Sequence, residues 1–302
     1  MSRLRNLLLI ITLATLALLA AALWFYPLND DFNPANPFWN GLSQTGEDLR
    51  LTSLNTLAVL PDLPPDARLL LIPYTPFDAA ELEALKAFTE RGGTLVLADD
   101  FGHGNAVLQG MGLDARFASS PLLDPIASYR YKRLPRVDNL RDGPLTRGVT
   151  SLGLNHATGL INVPAGDVIA WSSSFGFLDV DNSGEHDPDE PVGPIAVAST
   201  TRFGRGTIVL ISDPSVFINA MAGRECNREF IRNLAHPERR EMYLDRSHLP
   251  VSALQEAKSV LAGLREGLLT PPGTLALLTL LLLALLSPVW RVKKIRSLSG
   301  EG

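Results

Sequence analysis

One cysteine in 302 residues is too few for an intramolecular disulfide, a thiolate zinc cluster or a CxxC redox pair, each of which needs two sulfurs. Any part of the chain outside the cytoplasm therefore holds together without covalent staples. Histidine is scarce, with 5 in the chain, and positive charge is outnumbered, 27 Lys and Arg standing against 32 Asp and Glu. The resulting net charge of −5 argues against a general nucleic-acid binder. Disorder is excluded as the main state, because 46 % of the residues are hydrophobic and 20 % charged. The length suits one sizeable core or two small ones.

Charge is missing altogether from two apolar runs. Residues 7–25, LLLIITLATLALLAAALWF, would span about 28 Å as a helix, close to the hydrocarbon thickness of a bilayer. Arg3 and Arg5 precede this run and Trp24, Phe25 and Tyr26 close it, giving a positive cytoplasmic flank and an aromatic belt. A cleaved signal peptide is the competing reading, since Ala20 to Ala22 offers an A-x-A site. The second run, residues 273–290, starts just after Pro271 and Pro272 and is followed by Arg291, Lys293, Lys294 and Arg296.

Both basic flanks fall on one side, so the expected topology has both termini in the cytoplasm and residues 27–272 outside the cell membrane. The chain then divides into a span (1–26), an ectodomain (27–250), a juxtamembrane amphipathic helix (251–272), a second span (273–290) and a basic tail (291–302). Without the six flanking Lys and Arg and Glu301, 21 basic residues face 31 acidic ones, a net charge of about −10. A polyanionic ligand is not expected. A scaffold whose spans pack against other membrane proteins is a further reading, but the second run has no small-xxx-small stripe to support it.

Within the ectodomain, PLNDDFNPANPFWNGLSQTGEDLR is an irregular entry leading to a short helix near residues 43–50. RLLLIPY and TLVLAD have the composition of buried strands, and residues 78–91 between them that of a helix. Asp78 and Glu81 form a capping-box pattern, and Gly92-Gly93 ends the helix. Two short apolar strands around such a helix predict a covered parallel sheet. A third strand-to-helix step falls at residues 105–111. The runs GVTSL, GLINV, VIAWSSS and PIAVAST suggest edge strands and hairpins, GRGTIVLISDPSVF a further buried strand, and CNREFIRNLA a helix that covers the sheet.

NPFWNGLS at 36–43, LLIPYTPFDAAELEALKAFTERGGTLVLADDFGHGN at 70–105 and GRGTIVLISDPSVFIN at 204–219 together resemble a family of two-span membrane proteins catalogued as a domain of unknown function. The resemblance implies a class I glutamine-amidotransferase-like ectodomain of flavodoxin-like fold. It also implies company among envelope membrane proteins, near MoxR-type ATPases. True class I amidotransferases carry their nucleophile in a G-x-C-x-G turn after a strand. Here Gly102-His103-Gly104 places a histidine between the glycines, and Cys226 lies far downstream. The elbow lacks its thiol, so the enzyme reading is not favoured.

Open α/β sheets bind ligands at the carboxyl ends of their strands. Three such ends are polar: Tyr74 and Thr75; Asp99, Asp100, His103 and Asn105; and Asp213, Ser215 and Asn219. Converging, they would bind a cation or an amine-bearing ligand. As a hydrolase site they would use Asp100, His103 and Asp213 as acid and base. The plainer account is that Asp100, Asn105 and Asp213 cap the helices that follow.

Asp179, Asp181, Ser183, Gly184 and Glu190 match the spacing D-x-D-x-S-G-x5-E of a twelve-position calcium loop. Asp187 and the Glu185 carbonyl would complete the oxygen set. Pro188 and Pro191 oppose an exit helix, so the loop reads as a Ca2+ hairpin between strands, or as a solvated acidic turn. The sequence therefore points to a non-catalytic, membrane-anchored envelope protein that binds a ligand or partner and is braced by calcium.

Overall fold

The computed structural model describes residues 2–280, 282 and 283. Most of the second half of the 273–290 run and the whole 291–302 tail lie outside the described residues; Pro271–Leu280 is an apolar helix. The chain forms two compact units, Pro27–Val251 and the segments on either side of it.

Helix α1 (Ser2–Phe25) contains Leu4–Phe25, a stretch of mean hydropathy 2.6 that is long and apolar enough for a membrane span or a signal sequence. Among the described residues none of this stretch's most apolar window is buried. Leu9, Ile10 and Leu18 are 60 %, 63 % and 72 % exposed.

Pro27–Val251 is a mixed α/β unit around a largely parallel sheet. Strands β1 (Arg50–Leu54), β2 (Arg68–Leu71), β3 (Thr94–Ala98), β4 (Asn139–Leu140), β5 (Val168–Trp171), β6 (Ala196–Phe203), β7 (Gly206–Ile211) and β8 (Glu241–Asp245) lie in the spatial order β1-β8-β2-β3-β7-β6-β5-β4. The first five in that order are parallel, and the last three pair antiparallel. Short strands Arg116–Phe117 and Leu160–Ile161 join the sheet beside β6.

Alternation along the strands divides the core between two faces, because successive side chains point to opposite sides. Leu70, Val96, Val209, Met242 and Leu244 pack with Phe230, Ile231 and Leu234 of α6 (Asn227–Leu234). Leu69, Leu71, Leu95, Leu97 and Leu210 pack with Leu85 and Phe88 of α3 (Ala79–Glu90) and with Val107 and Leu108 of α4 (Gly104–Gly110). Both faces are covered, which is why the parallel strands are continuous apolar runs in sequence. Short helix α2 (Ser43–Asp48) precedes β1, and α5 (Asn219–Ala222) precedes α6.

Helix α3 starts at a complete capping box. Asp78 Oδ1 accepts from the Glu81 N–H at 2.8 Å, and Glu81 Oε2 accepts from the Asp78 N–H at 2.9 Å. The exit needs glycine. Gly92 has φ +131°, and a Cβ there would lie 2.9 Å from the Pro65 carbonyl oxygen.

Two strands of the parallel half, β1 and β8, have no counterpart in the reading of the sequence. β8, EMYLD, inserts between β1 and β2, bringing the end of the α/β unit into the middle of the parallel half. Helix α7 (Ala253–Leu269) follows in the other unit, capped by the Ser252 hydroxyl, which accepts from the Gln255 N–H.

Candidate functional site

Because β8, β2, β3 and β7 are neighbours and parallel, their carboxyl ends form one rim. The acids of this rim are held in different ways. Asp99, just past β3 and 4 % exposed, accepts the Gly102 N–H at 2.8 Å on one oxygen and the Gly104 N–H at 2.7 Å on the other. It thereby shapes the turn into α4. Asp213, just past β7 and fully buried, accepts from the Asn155 N–H at 2.6 Å and the Ser215 N–H at 2.7 Å. Asp100 is half-buried and accepts the N–H of Phe101.

Burial dominates the acidity of all three. It raises Asp99 to about 6 against the pull of the Gly104 and Gly102 N–H groups, and raises Asp213 to about 7 against the Asn155 N–H, with the charge of Asp100 adding to the rise. Asp100 is also raised by burial, and the charge of His156 counts against that rise. Tyr74, 41 % exposed at the end of β2, stands with its ring 5.6 Å from that of Phe32. Burial and the field of Asp100, Asp31, Asp99 and Asp213 hold its phenol well above the ordinary value. Tyr74 thus feels acids from both other strand ends.

The remaining residues expected at this rim have other attachments. His103 is the residue before α4 and donates its backbone N–H to the Pro73 carbonyl at 2.8 Å. Among the described residues no hydrogen bond joins it to Asp100 or Asp213; the imidazole whose charge reaches Asp100 is that of His156. His156 has φ +57° and is exposed, next to the Asn155 N–H that Asp213 holds. The Asn105 amide is paired in both directions with the Phe117 backbone, at 2.9 Å each way. Asn219 accepts from the Gln44 N–H and donates to the Asn36 and Phe38 carbonyls, fastening the entry segment to the start of α5. Ser215 contributes its backbone N–H to Asp213, and Thr75 is exposed.

In the acidic hairpin, carboxylate oxygens of Asp179, Asp181 and Glu190 lie within 4.8 Å of one another. Gly184, at the sixth loop position, has φ +79° and donates to both oxygens of the buried Asp179 at 3.2 Å. Glu190 accepts from the Val180 and Asp187 N–H groups, which closes the loop. Ser183 donates its hydroxyl to the Glu185 carbonyl, and the Glu185 carboxylate pairs with Lys132 at 2.8 Å. The Ser183 N–H holds the Asp181 carboxyl below its usual value. Three hard oxygen donors are therefore gathered, while Asp187 is outside the group.

A histidine that no motif marks lies at the end of β8. His248 is 3 % exposed and lies between Asp245 and Glu81. Its contact with Glu81 spans 167 positions, so no local pattern reports it.

The chain belongs to the family described as Domain of unknown function (DUF4350), whose model matches residues 27–235. No curated protein matches it in sequence. Among solved structures it is similar to the mmIFT52 N-terminal domain, at 16 % identity and TM-score 0.44, over 59 % of this chain and 78 % of that one. A β-galactosidase from Bacillus circulans sp. alkalophilus gives 12 % identity and TM-score 0.30 over 56 % of this chain. Gan42B, a GH42 β-galactosidase, gives 15 % and 0.27 over 55 %. The chain spans only 24 % and 21 % of those two enzymes. Likenesses this distant carry no activity.

Proposed function

We propose that this chain is a membrane-anchored, non-catalytic binding protein of the cell envelope. Its extracytoplasmic domain is amidotransferase-like and flavodoxin-like, takes up a cationic, amine-bearing ligand at the carboxyl ends of its parallel strands, and is braced by calcium. The observation that carries this reading is how the rim acids are held. Both oxygens of Asp99 and of Asp213 accept backbone N–H groups, so these two shape turns, while half-buried Asp100 and the exposed Tyr74 ring present charge and a π-face to a ligand. The turn after β3 has neither thiol nor hydroxyl between its glycines. A hydrolase using the Asp100, His103 and Asp213 region is the second reading. It is favoured by the rise of Asp99 to about 6 and Asp213 to about 7, the range in which carboxylic acids exchange protons at neutral pH. Ammonia release from glutamine that Asp100→Asn abolishes would be its signature.

Both apolar runs serve as spans in this account, with both termini cytoplasmic. Reporters fused at the N-terminus and after Arg296 are expected to signal cytoplasm, and one inserted near Asn139 the exterior. Processing after Ala22 would overturn the two-span arrangement and leave an anchor at the C-terminal end alone.

Asp179, Asp181 and Glu190 would hold the calcium ion, joined by the Ser183 hydroxyl, the Glu185 carbonyl and Asp187 through water. Oxygen donors alone suit a hard cation, and three carboxylates this close repel one another without one. At ten times Kd the ion would add about 1.4 kcal/mol of stability. Thermal melts of the full chain in detergent should shift upward with calcium and back with chelator. A double variant, Asp181→Ala with Glu190→Ala, should not respond. A native melt that stays in place, or an equal shift in both proteins, reduces the loop to an acidic turn.

A further inference from the structure

The imidazole of His248 is enclosed by partners on both of its edges. Nδ1 lies 2.7 Å from Asp245 Oδ2 at the end of β8, and Nε2 lies 3.3 Å from Glu81 Oε2 on the first turn of α3. Phe77 stacks on the ring, 3.8 Å between centroids with planes 18° apart. The other Asp245 oxygen accepts from the Ser247 hydroxyl and N–H. Asp245 is fully buried and Glu81 partly so.

A neutral imidazole has one N–H and one lone pair. Between two carboxylates it can donate to one, and its lone pair then faces the other oxygen. Only the doubly protonated ring donates to both carboxylates; the Ser247 hydroxyl also lies 3.2 Å from Nδ1.

We propose that Asp245, His248 and Glu81 form a proton-operated latch that fastens the segment after β8 to the head of α3. The charged groups facing the ring are Asp245 from β8 and Glu81 from α3; Asp78, the N-cap of α3, holds the Glu81 N–H. Burial opposes the imidazolium, yet the hydrogen bond and charge of Asp245, followed by those of Glu81, outweigh it and raise His248 above its ordinary value. A base with a raised folded-state pKa stabilises its contacts fully below the ordinary histidine value and loses that contribution as pH rises through the folded value. The latch is thus closed in acid and opens in alkali.

Opening begins at Glu81, the longer contact. It is transmitted to the rim, because the His248 carbonyl accepts the Tyr74 N–H at 3.0 Å. A proton released at β8 thus loosens the backbone that presents Tyr74. The segment that is freed runs through Leu249 to Val251, the last residue of the α/β unit. This holds whatever ligand the rim takes.

The test is hydrogen exchange of the full chain in detergent across about pH 6 to 9, corrected for intrinsic rates, in peptides covering 244–251 and 76–84. Losing one charge-assisted hydrogen bond should lower protection there about tenfold on the alkaline side. Glu81→Gln keeps the capping-box acceptor but removes the charge, so the loss should move to lower pH. In His248→Gln the step should vanish. Protection that is unchanged with pH in the native chain, or a step at the same pH in Glu81→Gln, overturns the latch. Should His248→Gln fail to fold, the Glu81→Gln comparison decides the matter alone.

Discussion

Raising the pH from about 5 to about 8 should destabilise the α/β domain, opposite to the usual gain as carboxylates ionise. Asp213 moves from 3.8 to about 7 and Asp99 from 3.8 to about 6, each raised chiefly by burial. Over that range the unfolded chain has already released these protons while the folded chain still holds them. The folded state therefore binds more protons, and stability falls as pH rises, levelling off above about pH 7. Three pKa units on Asp213 correspond to about 4 kcal/mol as an upper bound. His248 adds to the decline, with the same sign. Urea unfolding at several pH values checks this, and Asp213→Asn should flatten most of the slope. Asparagine keeps one acceptor for the Asn155 and Ser215 N–H groups, so at low pH the variant should be less stable than the native chain by about 1 to 3 kcal/mol. A slope that survives intact in Asp213→Asn would show that other groups cause it.

Asn219→Ala should have an effect of similar size with no dependence on pH. Its side chain, 8 % exposed, accepts the Gln44 N–H at 2.9 Å and donates to the Asn36 and Phe38 carbonyls at 3.1 and 2.6 Å. Truncation leaves three backbone groups without these partners, at about 1 kcal/mol or more each. A loss of about 3 kcal/mol in chemical denaturation is expected. A loss below about 0.5 kcal/mol would mean that the entry segment is not fastened through Asn219.

These results bear on how much could be read in advance. The unit from β2 through α3 to β3 was legible because its strands are buried on both faces and its helix carries a cap and a glycine stop within the local sequence. β8 was not legible. Its two fully buried apolar residues, Met242 and Leu244, sit between charged residues, and only pairing with β1 and β2, far away in sequence, makes it a strand. The site divides similarly. Asp99 and Asp213 could be placed at strand ends from the apolar runs before them, but which groups they hold depends on loops elsewhere, Asn155 for one. Asn105 and Asn219 fit a strand-end pattern, yet their amides are taken up by Phe117 and by the entry segment. His156 and His248 carry no motif; tertiary approach brings Asp100 to the first and Glu81 to the second.

The central claim, a rim that takes an amine cation, is tested most directly by calorimetric titration of the full chain in detergent with spermidine, beside Asp100→Asn. The account predicts saturable binding at one site, stronger at about pH 8 than at about pH 5.5 because Asp99, raised to about 6, and Asp213, raised to about 7, ionise between those values, and much weaker in Asp100→Asn. Equal heats from the two proteins, or no binding at either pH, would contradict it.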